Sequence, residues 1–144
     1  MEIGVEVVCG PAIRPRNAAA TRDSILEAAR ERFSRHSYDD VGVRQIASDA
    51  GVDAALISRY FGSKDDLFAA VLSSCDTGET LFDGPRETFG QRLADKMIYH
   101  PKEGAALQGM HIMLRSIGSP RAIEMVRKSG DERFFGPFVA WLGA

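Results

Sequence analysis

The sequence predicts an all-α protein. Apolar residues recur at 3.6-residue spacing in segment after segment, and no stretch alternates apolar with polar residues as a half-buried strand would. Turn residues, Gly51 and Gly62 among them, separate the periodic segments and keep one of them very short. With 144 residues, 44% hydrophobic and 26% charged, the chain has the balance of an ordinary globular protein with enough length to bury a core.

The N-terminal residues 1–19 read as an irregular tail or arm, because Gly10, Pro11 and Pro15 interrupt any helix before the alanines at 18–20. The first strong helix is predicted from Thr21 to His36. Thr21 can cap it, Asp23 suits its positive first turn, and Ile25, Leu26, Ala29 and Phe33 share one face. Glu27, Arg30, Glu31 and Arg35 lie mostly elsewhere, spaced for exposed ion pairs. After a short link at 37–42, VRQIASDA forms a second helix with Val43, Ile46, Ala47 and Ala50 inward, and Gly51 ends it in a left-handed conformation.

Asp53 caps the next helix, about Ala54 to Phe61, whose inward residues are Ile57 and Phe61. Ala54, Ala55, Ser58 and Arg59 face away, with Tyr60 at the edge. Gly62 stops it, and Ser63 caps SKDDLFAAVLSS, with Asp66 as capping-box partner and Leu67, Phe68, Val71 and Leu72 as the apolar face. The turn-rich DTGETLFDGP closes this unit, which spans residues 20–78.

Residues 84–144 hold three further helices. RETFGQRLADKMIYH carries Phe89, Leu93, Met97 and Ile98. GAALQGMHIMLRSI carries Leu107, Met110, Met113, Leu114 and Ile117. The last starts at Ser119-Pro120, carries Ile123, Met125 and Val126, is disturbed at Gly130 and Gly136-Pro137, and ends in the apolar FVAWLGA.

Several functions are disfavoured. No apolar run approaches the ~18–20 residues of a membrane span, and Glu2 and Glu6 stand where a secretory signal would carry basic residues, so a cytoplasmic protein is expected. Cys9 and Cys75 are far apart and form no C-x-x-C pair; His100 and His111 lack metal-ligand spacing; no cofactor is implied. G-x-S-x-G, H-E-x-x-H and a phosphate-cradling glycine loop are missing, which argues against an enzyme. The formal net charge of −2 gives no global attraction to nucleic acid, so any such attraction must come from local arrangement.

That arrangement exists. Two helices joined by a tight glycine turn, the second short and apolar on one side only, form the helix-turn-helix pattern. A helix of roughly two turns is unstable alone, and its shortness makes sense if it must project so that its outer side chains reach a DNA major groove. Ile57 and Phe61 then anchor it, while the small residues Ala54, Ala55 and Ser58 allow close approach to the bases. Lys64 would meet a phosphate at the start of the following helix.

The stretch TRDSILEAARERFSRHSYDDVGVRQIASDAGVDAALISRYFGSKDDLFAAVL resembles the DNA-binding domain of the tetracycline-repressor (TetR) family, over about residues 20–75. The matching elements are ILEAARERF, Tyr38, VRQIASDAGV, and the run Ile57, Tyr60-Phe61-Gly62-Ser63-Lys64 with Leu67. The resemblance implies a ligand-responsive transcriptional repressor that binds a palindromic operator in double-stranded DNA as a homodimer. It implies a small-molecule effector held in a helical ligand and dimerisation domain. It places Arg44 on DNA, Ala54, Ala55, Ser58 and Arg59 toward the groove, and Tyr60 and Lys64 on phosphates. Gly42, Ser58 and Val41 depart from the family's common Ser or Thr, Tyr and Thr, so the operator sequence is not inherited.

Phe89, Met97, Met110, Met113, Met125 and Trp141 are candidates for the effector cavity, with core packing an equal alternative. Arg14 and Arg16 form a solvated tail or, less simply, a minor-groove arm. The family's dimer-forming helices would lie beyond residue 144. The sequence as it stands is therefore expected to be a monomer or a loose dimer through Phe134, Phe138 and Trp141. A helical protein-interaction module is the rival reading.

Overall fold

The computed structural model describes residues 15–76, 81–99 and 103–143, together with side chains from Asn17 onward. Arg14, Cys9 and His100, and the side chain of Arg16, lie outside the described residues. All regular structure described is helical: α1 (Pro15–Arg35), α2 (Val43–Ala50), α3 (Ala54–Phe61), α4 (Lys64–Ser74), α5 (Phe89–Tyr99), α6 (Gly104–Ser116), α7 (Pro120–Gly130) and α8 (Gly136–Gly143). Short 3₁₀ turns occupy Tyr38–Asp40 and Arg86–Thr88, and a π-helical turn, Asp131–Phe135, joins α7 to α8.

α1 begins six residues before the expected Thr21. Pro15 stands at its first position, where a missing N–H costs nothing and φ is already helical, so this proline starts the helix instead of barring it. Thr21 is consequently no cap: its hydroxyl donates to the Asn17 carbonyl, 2.6 Å away, inside the helix. The later boundaries follow the expected signals closely. Gly51 takes φ 68°, ψ 32° at the end of α2. Asp53 Oδ1 accepts from the Ala55 N–H at 2.7 Å, and Ser63 and Asp66 exchange the two bonds of a capping box at 3.1 and 3.0 Å.

The core joins Ile25, Ala29 and Phe33 of α1, Ile46 and Ala47 of α2, Ile57 of α3 and Leu67, Phe68, Val71 and Leu72 of α4. Tyr38 enters it from the α1–α2 link. Its ring stacks on Phe33 (centroids 5.8 Å apart) and meets the Phe68 ring edge-on at 5.0 Å. Ile112 of α6 and Ala122 of α7 complete the same cluster.

The expected apolar face of α6 is turned differently. Its buried residues are Gly109, Ile112 and Ser116. Leu107, Met113, Leu114 and Ile117 are exposed. The reason is close packing on the earlier helices. A Cβ on Gly109 would stand 2.6 Å from the Cys75 Cβ, so only glycine lets α6 approach the end of α4 here. Gln108 Nε2 donates to Glu31 Oε2 at 2.7 Å and Arg115 Nε to the Ser34 carbonyl at 2.8 Å, which fixes α6 against α1. No described helix is long and apolar enough to cross a membrane.

Candidate nucleic-acid interface

α3 is held as its length requires. Ile57 is 1% exposed and fastens the helix to the core, with Leu56 and Phe61 packed partly against it. Asp53 satisfies an N-terminal amide, and the Gly62 N–H returns to the Ser58 carbonyl at 2.9 Å. The outer side presents Ala55, Ser58 and Arg59 to solvent. Ala54 and Tyr60, expected on or beside that face, are half-buried and pack partly on the core instead. A helix of eight residues has little surface that is not shared with its supports.

Arg44, one position into α2, is exposed. Gly42, at the cap position of α2, donates its N–H to Gln45 Oε1 at 2.9 Å, so that amide is engaged within the protein. Several arginines near these residues are tied to carboxylates: Arg30 to Glu27, Arg32 to Asp49, Arg35 to Glu31. The Arg22 guanidinium lies over the Phe61 ring, 4.7 Å from its centre, which joins the first turns of the core-facing part of α1 to the end of α3. Nothing local in the sequence links these two, since 39 positions separate them.

Lys64 is more constrained than a free phosphate contact would be. Its ammonium donates to the Tyr38 carbonyl at 2.6 Å and sits 4.1 Å from the centre of the Tyr38 ring. Burial lowers its pKa, against the nearby carboxylates of Asp39 and Asp65, which raise it. The Tyr38 hydroxyl donates to Asp65, whose carboxylate also takes both prongs of Arg121 from α7. Those bonds, Arg121 first and Tyr38 second, hold the Asp65 pKa below its ordinary value. Burial first, and then the bond to Asp65, push the Tyr38 phenol well above its usual range. The sequence singles out Tyr38 and Lys64 but gives no sign of Asp65 or Arg121.

The six candidate effector-site residues stand in different surroundings. Phe89 and Trp141 meet, centroids 5.2 Å apart, in an aromatic cluster with Phe82, Phe134 and Phe138. Phe82 is in contact with the other four rings, although its place in a turn-rich link gave no sign of that. Met125 instead packs against the core shared by α1–α4. Met97 is 75% exposed and Met113 44%, while Met110 is half-buried. A cleft of about 270 Å³ is lined by Glu31, Arg32, Arg35, His36 and Asp49, none of them from that set. Among the described residues no His, Cys, Asp and Glu gather as a metal site would require.

A short, capped helix after a glycine turn, with small and basic residues outward, has the helix-turn-helix arrangement. Residues 25–71 match the family described as bacterial regulatory proteins, tetR family. Over those residues the chain is similar to that family.

Named relatives agree. A helix-turn-helix-type transcriptional repressor of Streptomyces coelicolor is 34% identical over 91 residues, 60% of this chain and 47% of that protein. The transcriptional regulator HbdR of an Aromatoleum species is 39% identical over 90 residues, 62% of this chain and 35% of its own length. The regulatory protein RaaS of Mycobacterium tuberculosis is 56% identical over 43 residues, 30% of this chain and 20% of that one. The chain matches less than half the length of each.

Proposed function

We propose that this chain is a transcriptional regulator of the repressor type, acting in the cytoplasm and without enzymatic activity, that reads a palindromic operator through α3. The observation that carries the reading is α3 itself. Its two turns are buried through Ile57 and capped by Asp53, yet they leave Ala55, Ser58 and Arg59 exposed to solvent. Ser58 and Arg59 contact base edges, Ala54 and Ala55 admit the groove wall, and Arg44 and Tyr60 contact phosphates. Lys64 adds its charge from a fixed position on Tyr38. A small-molecule effector bound among the helices after Pro85 would shift the spacing of two heads and release the operator. Two heads on one duplex imply a homodimer, since half-sites lie about one helical turn apart.

Selection of bound duplexes from a random pool, followed by fluorescence anisotropy of the recovered sequence, tests this. Arg59→Ala and Ser58→Ala should change which bases are preferred, by ~1–3 kcal/mol for each well-made hydrogen-bonded pairing with a base. Arg44→Ala should weaken binding to all sequences and lower the slope of log K against log salt by about one unit. Recovery of no preferred sequence, with equal weak binding to every duplex, would overturn the reading.

The rival, a helical protein-interaction module, has one observation in its favour: Met113, Leu114 and Ile117 leave α6 with an exposed apolar face. The same selection separates the two, because a module of that kind would enrich no DNA.

A further inference from the structure

Asp65 has two cations near it. Lys64 precedes it in sequence, and Arg121 reaches it from α7, 56 positions away. Arg121 Nε lies 3.1 and 2.9 Å from the two carboxylate oxygens, and its Nη2 forms the second prong. The Tyr38 hydroxyl takes a further acceptor site on Oδ1. With its oxygens so occupied, the carboxylate leaves the Lys64 ammonium to the Tyr38 carbonyl, which already accepts from the Val41 N–H at 3.3 Å. The tie is placed to matter. Ala122, next to Arg121, is fully buried in the common core, and Ser119 accepts the Ala122 N–H at 3.3 Å to start α7 at this point. At the far end of the same helical run, Arg133 of the π turn donates to the Leu72 and Ser73 carbonyls at 3.4 and 3.3 Å. α4 is thus gripped near both ends from one element that lies outside α1–α3.

We propose that Arg121 is a positioning residue for the DNA-reading head: by occupying the Asp65 carboxylate it keeps Lys64 on Tyr38, with its charge available to a phosphate. Loss of Arg121 frees a carboxylate beside Lys64. The ammonium then pairs with Asp65, the Tyr38 carbonyl loses its second donor, and the turn from Ser37 to Gly42 that leads into α2 loosens. The geometry needs a bidentate cation, which lysine supplies only in part. The effect on DNA rests on the function proposed above; the effect on the turn does not.

The test compares Arg121→Ala, Arg121→Lys, Asp65→Asn, the double variant Arg121→Ala with Asp65→Asn, and Arg127→Ala. Arg127 pairs with Glu124 on its own helix, so its replacement removes one charge from α7 without touching Asp65. Amide hydrogen exchange is read at residues 37–42 and 64–67, and DNA affinity over a salt series on the selected duplex. Arg121→Ala should speed exchange at both segments severalfold and weaken DNA binding about twofold to fivefold, the range of a partly exposed ion pair. The salt slope should fall by up to about one unit, as far as Lys64 is withdrawn from its phosphate, and should return to the parent value in the double variant. Arg121→Lys should recover part of both effects, and the double variant should recover DNA affinity, since an amide does not compete for the ammonium. Arg127→Ala should leave the exchange unchanged.

Unchanged exchange in Arg121→Ala would overturn the proposal whatever the DNA result. So would a salt slope that stays low in the double variant, which would make Arg121 itself a direct phosphate contact. If the parent protein binds no DNA, the proposed function falls, and the exchange measurements still decide the positioning role.

Discussion

The Lys64 ammonium and the Tyr38 carbonyl are 2.6 Å apart, and the same ammonium lies over the Tyr38 ring. One side chain thus holds the start of α4 to the link between α1 and α2. Removing it should be felt in the fold before it is felt on DNA. Lys64→Ala should lower stability by about 1 kcal/mol, because a hydrogen bond and a cation–π interaction go with the side chain. A urea midpoint equal to that of the parent would show that neither contributes.

Asp65 predicts an acid limit. Its pKa is lowered from 3.8 in the folded protein, by the Arg121 bond first and the Tyr38 bond second. A depressed carboxylate contributes stability above its unfolded value and loses it as the pH falls through the folded one. The melting temperature should therefore fall below about pH 4 more steeply in the parent than in Asp65→Asn. Parallel melting curves for the two proteins between about pH 2 and 6 would contradict this assignment.

Gly51 is tested by conformation alone. It has φ 68°, and a Cβ there would meet nothing within 4 Å, so a substitution costs backbone strain without a clash. Gly51→Val should destabilise by about 1–2 kcal/mol, and Gly51→Asn by clearly less, since asparagine tolerates the left-handed region. Equal denaturation midpoints for the two variants would refute the strain argument.

Gly109 is the opposite case, limited by space. Gly109→Ala should destabilise by about 1–3 kcal/mol as α6 is forced from α4. Because the blocking atoms are the Cβ and Sγ of Cys75, at 2.6 and 3.2 Å, adding Cys75→Gly should recover part of the loss. A double variant no more stable than Gly109→Ala would place the strain elsewhere.

Asp53 joins fold to site. Asp53→Ala removes the acceptor of the Ala55 N–H and should cost about 1 kcal/mol, with α3 the first element to lose amide protection. Protection lost evenly along the chain would mean that α3 does not open by itself.

Local chemistry determined a large part of this protein. Asp53, Ser63 with Asp66, Gly51 and the Ser119-Pro120 start act on their own neighbours, so their residue types and spacing are enough to place α2, α3, α4 and α7. Ile57 inward with Ala55, Ser58 and Arg59 outward follows from the 3.6-residue period, and with it most of the candidate interface.

What the tertiary structure decided are the relationships between distant residues and the choice among competing faces. Pro15 could equally have ended an arm or begun a helix, and it begins α1. α6 offered a face of large apolar residues and a face with Gly109, Ile112 and Ser116; it buries the second because the small residue lets its backbone reach Cys75. Phe82, in a link with no periodicity, became the residue around which four other rings gather. Asp65 and Arg121 read as surface charges in any local window. Their pairing exists only because the burial of Ala122 brings α7 alongside α4.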